Sequence, residues 1–84
     1  MNSIKEVMEA FNVYSIASVT NVFSSTDLAV FVKDGQAIVI RAVRGKLLLN
    51  WPQPGYKCQA SMPEEEMLDA TEAACRLNEL LGDD

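Results

Sequence analysis

This 84-residue chain contains no histidine, two cysteines, three prolines and four glycines, and its longest unbroken apolar run is only Leu28–Val32. Each scarcity removes a class of function. Without histidine, acid–base catalysis near neutral pH would need a carboxylate held in a pocket that shifts its pKa. Cys58 and Cys75 lack C-x-x-C spacing and have no imidazole to join them, which argues against a structural zinc held by the protein alone. The few glycines form no phosphate-cradling loop, and there is no G-x-S-x-G nucleophile elbow. A run ending at Val32 is far short of the roughly 20 apolar residues that cross a bilayer. The start, Met1-Asn2-Ser3-Ile4-Lys5-Glu6, has no basic segment leading into an apolar one, so no secretory signal is expected. Small secreted domains usually carry several disulfides, so the two thiols read as free in a reducing cytosol. The expectation is a cytoplasmic, non-enzymatic protein with no cofactor, no metal and no membrane association.

What is present is an uneven distribution of charge. Residues 61–84 hold eight carboxylates against Arg76 alone, a local charge of −7. Residues 27–60 hold Lys33, Arg41, Arg44, Lys46 and Lys57 against Asp27 and Asp34, a local charge of +3. The first 26 residues contribute −1, so the chain carries −5 overall. A split of this kind points to charged partners rather than to chemistry. Apolar residues make up 49% of the chain, too many for a disordered segment, so one small folded domain spanning 1–84 is expected.

Ser3-Ile4-Lys5-Glu6 reads as a capping box, followed by Ile4, Val7, Met8 and Phe11 at helical spacing, with Asn12 as the stop. Val13–Phe23 fits either a strand or a helix, and its β-branched content favours a strand. Leu28–Lys33, Asp34-Gly35 and Gln36–Val43 form a strong hairpin signal, because Asp-Gly supplies the positive φ angles of a type I′ turn. Arg44-Gly45 turns the chain more weakly into Lys46–Trp51, Pro52–Gly55 breaks that strand, and Tyr56–Ala60 reads as one more. Ser61 and Glu64 suggest a second capping box, with Pro63 in the first turn and Gly82 as the terminal cap. Between them Met67, Ala70, Ala73, Ala74, Leu77, Leu80 and Leu81 form one stripe. The expected fold is α+β: an antiparallel sheet of three to five strands with a short N-terminal helix and a C-terminal amphipathic helix.

The two turns set a register in which Ala29, Phe31, Ile38, Ile40, Ala42, Leu47, Leu49 and Trp51 share one sheet face, all apolar. The opposite face collects Leu28, Val30, Val32, Ala37, Val39, Arg41, Val43, Lys46, Leu48 and Asn50. A sheet solvated on one side alternates with polar residues, and this one mostly does not. Three things would cover that face: a helix on each side, the Val13–Phe23 segment folded across, or a partner chain or second copy. The last reading makes Val30, Val32, Val39, Arg41, Val43 and Leu48 an interface.

A second candidate surface is the acidic side of the C-terminal helix, with Glu65, Asp69, Glu72, Glu79 and Asp83 as a ridge that would dock on a basic partner. The plain alternative is a solvated face, with first-turn acids favoured by the helix dipole and Glu72–Arg76 as an ordinary i,i+4 pair. Leu68 and Cys75, on the flank, are expected in core or loop packing. Glu64-Glu65-Glu66 would hold a divalent cation only loosely, lacking calcium-loop spacing.

Together these features favour a stoichiometric protein-binding regulator or inhibitor, with homodimerisation open as well. In size and acidity the chain resembles the small anti-defence proteins of phages and mobile elements, anti-CRISPR proteins among them; this resemblance is of type and assigns no residue a role. Two other classes compete. One is a structural subunit or assembly chaperone working through the second sheet face. The other is a single-strand nucleic-acid binder using Arg41, Arg44, Lys46 and Lys57 with Trp51 and Tyr56 as a stacking platform. An isoelectric point near 4.5 disfavours nucleic acid.

Overall fold

In the computed structural model, residues 2–14, 21–52, 58 and 63–82 are described. Among these residues two helices and five strands follow one another as α1 (Ile4–Tyr14), β1 (Asn21–Ser24), β2 (Leu28–Lys33), β3 (Gln36–Val43), β4 (Lys46–Asn50), β5 (Glu65–Met67) and α2 (Ala70–Leu81). The strands form one antiparallel meander in the order β1-β2-β3-β4-β5. This is the expected α+β architecture.

Helix α1 begins where the capping box places it. The Ser3 hydroxyl accepts from the Glu6 amide at 3.2 Å, and the Glu6 carboxylate accepts from the Ser3 amide at 3.0 Å. The helix runs past Asn12 to Tyr14, beyond the predicted stop. The strand expected over Val13–Phe23 is therefore helical at Val13 and Tyr14 and extended over Asn21–Phe23; residues 15–20 lie outside the described residues. Both hairpin turns have positive φ at both central residues: 52° and 78° at Asp34-Gly35, 53° and 78° at Arg44-Gly45. That is type I′ geometry, and it sets the β2–β3 and β3–β4 registers that the sequence pattern implies. Arg44 occupies a left-handed position normally filled by Gly, Asn or Asp, which is why its turn signal is the weaker of the two.

The C-terminal region departs from expectation. Glu65–Met67 is not helix but an edge strand, with Met67 opposite Leu47, Glu66 opposite Leu48 and Glu65 opposite Leu49. Pro63 and Glu64 precede that strand, and Ser61 lies outside the described residues. Helix α2 starts instead at a cap formed by Asp69, whose carboxylate accepts from the Glu72 amide at 2.9 Å. The strand expected over Tyr56–Ala60 falls outside the described residues except Cys58, which has no regular structure. Gly82 ends α2 with extended backbone (φ −65°) rather than a left-handed turn. A Cβ there would stand 2.7 Å from the Asn78 carbonyl oxygen, so close approach, not positive φ, requires the glycine.

Both helices pack on the same side of the sheet. One core joins Ile4, Val7 and Phe11 of α1, Ala73, Ala74, Leu77 and Leu81 of α2, and Ala29, Phe31, Ile38, Ile40, Leu47, Leu49 and Met67 of the strands. None of these exceeds 6% exposure, so the helix-facing register is as predicted. Phe11 and Phe31 meet with ring centroids 4.7 Å apart and planes inclined at 52°. The arrangement with one helix on each side of the sheet is overturned. An eleven- and a twelve-residue helix lie side by side over one face and bury their apolar stripes there together.

Candidate functional site

With both helices on one side, the second face of the sheet carries no helix among the described residues. The strand pairings arrange its side chains in rows. Phe23, Val30, Val39 and Asn50 form one row, and Leu28, Arg41, Leu48 and Glu66 form the next. Val32 and Ala37 lie beyond the first, with Val43 and Lys46 beyond the second. The β1–β3 half is apolar apart from its rim, with Phe23 60% exposed and Leu28 40% exposed. Val30, Val32, Val39, Val43 and Leu48 are half-buried. The β4–β5 half surrounds Leu48 with Lys46, Asn50 and Glu66.

Arg41 crosses from β3 to Glu64 with two forked bonds of 2.7 Å, Nε to Oε2 and Nη2 to Oε1. The forked bond holds the Glu64 carboxyl below its ordinary range, with the guanidinium charge adding to the effect, and it raises the Arg41 pKa. All six residues expected to form the second-face interface are thus brought onto one surface. Arg41 is there as a paired group and not a free cation.

The acidic ridge loses Glu65. Glu65 lies on β5 and faces the helix layer, where its carboxylate accepts from Arg76 Nε at 3.1 Å, Arg76 Nη2 at 2.9 Å and the Trp51 indole N–H at 3.1 Å. The bonds from Arg76 push its pKa down; partial burial opposes this, and the Trp51 bond reinforces it. Asp69 caps α2, and Glu72 accepts from the Leu68 amide at 3.0 Å, so both acids satisfy backbone donors at the helix start. Glu72 therefore does not form the expected pair with Arg76, whose partners are Glu65 and, at 3.5 Å, Glu79. Glu72 and Glu79 are the members of the ridge on the exposed side of α2 in the described residues, and Asp83 lies outside them.

Three further expectations change. Leu68 is 83% exposed and Cys75 is exposed, so neither packs in the core. The stacking platform is divided: Arg41 and Lys46 are on the open face, while Trp51 packs against the core with the Arg76 guanidinium 5.8 Å from its ring centroid. Tyr56 and Lys57 lie outside the described residues. Along an extended strand neighbours alternate sides, so Glu65 faces away from Glu66 and the three glutamates do not converge as a cation site.

A helix start at Ser61 puts Glu65 on the helix, which hides the cluster of Trp51, Glu65 and Arg76 from the sequence pattern. The signal that could have found it is Asp69-Ala70-Thr71-Glu72, a competing helix start eight residues after Ser61. Among the described residues no helix is long and apolar enough to cross a membrane, and no three metal-binding side chains come together. No protein-family model, curated protein or solved structure matches this chain.

Proposed function

We propose that this protein is a non-catalytic binding module that regulates or inhibits another protein by holding it against the open face of its sheet. The observation that carries this reading is the placement of both helices on one side, which leaves Val30, Val32, Val39, Val43 and Leu48 under no helix among the described residues. An apolar face beside a polar rim is the arrangement of a docking site. The partner we assign is a protein with an apolar contact centre and basic groups at its edge. The apolar half of the face would meet the centre, and Glu66 with the net charge of −5 would attract the edge. An inhibitor of the anti-defence type, which this chain resembles in size and acidity, would act in this way by occupying a surface of its target.

The non-catalytic part of the reading is supported by the direction of the displaced carboxylates. Glu64 and Glu65 are driven towards full ionisation by arginines, the opposite of what a general acid at neutral pH needs.

Matched baits test the proposal. Wild type, Val39→Asp, Leu48→Asp and Glu79→Lys would each be checked for folding by circular dichroism and then used to capture proteins from the source cells. A partner retained by wild type and Glu79→Lys but lost by both sheet-face variants is the expected result. Retention by folded Leu48→Asp would sink it.

A further inference from the structure

The two edges of the sheet are built differently. At β5 the edge is three residues long, Glu65-Glu66-Met67 directly after Glu64, and is held by forked arginine pairs to Glu64 and Glu65. Short length and charge are the devices by which proteins prevent another strand from adding. At β1 the edge is Asn21-Val22-Phe23-Ser24, uncharged and free of proline, with every residue exposed. Its hydrogen-bond phase follows from the turn beside it. The Ser25 amide donates to the Leu28 carbonyl at 2.8 Å, so Ser25–Leu28 is a bonded pair. In an antiparallel ladder bonded and non-bonded pairs alternate, so Phe23–Val30 is bonded too, and the amides and carbonyls of Val22 and Ser24 point away from the sheet.

We infer that β1 pairs with β1 of a second copy about a two-fold axis at Phe23, joining two sheets into one continuous sheet. In that register Val22 of each protomer lies opposite Ser24 of the other. The outward groups satisfy each other with about four main-chain bonds. Phe23 meets its own symmetry mate as a non-bonded pair, the class in which Cα atoms are only about 4.5 Å apart and side chains are closest. The exposed ring then gains a partner, and Leu28 and Val30 extend the apolar strip on either side of the axis.

Charge selects this arrangement over other self-contacts. Two chains of −5 repel, but Glu64–Glu66 lie four strand spacings from β1, about 19 Å or roughly two Debye lengths at physiological salt. Edge pairing at β1 puts the two acidic edges at opposite ends of the dimer. The contact is isologous and closes at two copies, and the guarded β5 edges keep it from growing into a filament. The joined sheets also place both open faces on one side, so the pairing is compatible with the proposed partner site without depending on it.

The test is the solution mass of the full chain by sedimentation and light scattering over a wide concentration range, with amide exchange at Val22 and Ser24. Wild type is expected to reach the dimer mass, more readily at high salt, and the two amides are expected to be protected when concentrated and to exchange freely on dilution. Phe23→Lys puts like charges at the axis and should weaken the dimer at least about tenfold while leaving the protomer folded. Val22→Pro removes an outward donor that the protomer itself does not use, and should give a folded monomer. A wild-type monomer at every concentration overturns the inference. So does a dimer that survives Phe23→Lys with both amides unprotected, or one lost to Leu48→Asp instead. Because Leu48 reports on the partner site and β1 on self-pairing, failure of one reading is distinguishable from failure of the other.

Discussion

The same three central strands, read on their two sides, are nearly equal in apolar content and unequal in burial. On one side Phe31, Ile38, Ile40, Leu47 and Leu49 are at most 2% exposed. On the other Val30, Val32, Val39 and Leu48 remain partly open, and Leu28 is 40% exposed. Hydrophobicity alone does not make a face the core; what makes it so is where the helices settle. Each face also carries one glutamate–arginine clamp onto the β5 region. Glu65 with Arg76 and Trp51 serves the closed side, and Glu64 with Arg41 serves the open side.

The largest expected effect tests that inequality directly. Leu49 and Leu48 are neighbours on β4 with side chains on opposite faces. Leu49→Ala should cost about 2–5 kcal/mol by urea unfolding, enough to unfold most of so small a domain, because it empties space between sheet and helices. Leu48→Ala should cost about 1 kcal/mol or less. Equal costs would mean that the open face is closed by the chain itself, and the proposed docking site would fall.

Next in size is the start of α2. Asp69→Ala removes the acceptor for the Glu72 amide and should cost about 1 kcal/mol without altering partner capture. Loss of capture with an intact fold would return the acids of this region to the interface.

Acid sensitivity compares the two clamps. The folded-state pKa values of Glu64 and Glu65 lie below the ordinary 4.5, so their contribution to stability is complete above that value and disappears as the pH falls through the lowered ones. Unfolding curves below pH 4.5 should therefore steepen for wild type and flatten for Glu65→Gln. Glu64→Gln should flatten them less, since Arg41 is largely in solvent and its pairing is screened. An equal response would show the clamps to be equivalent. The smallest effect is expected at Glu79, whose side chain is 69% exposed: Glu79→Lys should shift stability by less than about 0.5 kcal/mol.

Local chemistry determined much of this protein. Asp34-Gly35 and Arg44-Gly45 set φ at single residues, and from those turns the register of β2, β3 and β4 and both faces of the sheet follow by alternation. The Ser3–Glu6 cap and the Ala73–Leu81 stripe are likewise local in sequence. Tertiary structure alone decided the rest. Glu65–Met67 carries acids and a methionine that suit a first helical turn, and it is extended because β4 offers Leu47–Leu49 an unpaired edge. That pairing sends Glu65 to Trp51 and Arg76 and leaves the cap to Asp69. The common side of the two helices is equally invisible in the sequence, since each stripe would have fitted either apolar face. Their choice depends on packing against each other as well as on the sheet, an interaction between distant segments that no local pattern encodes.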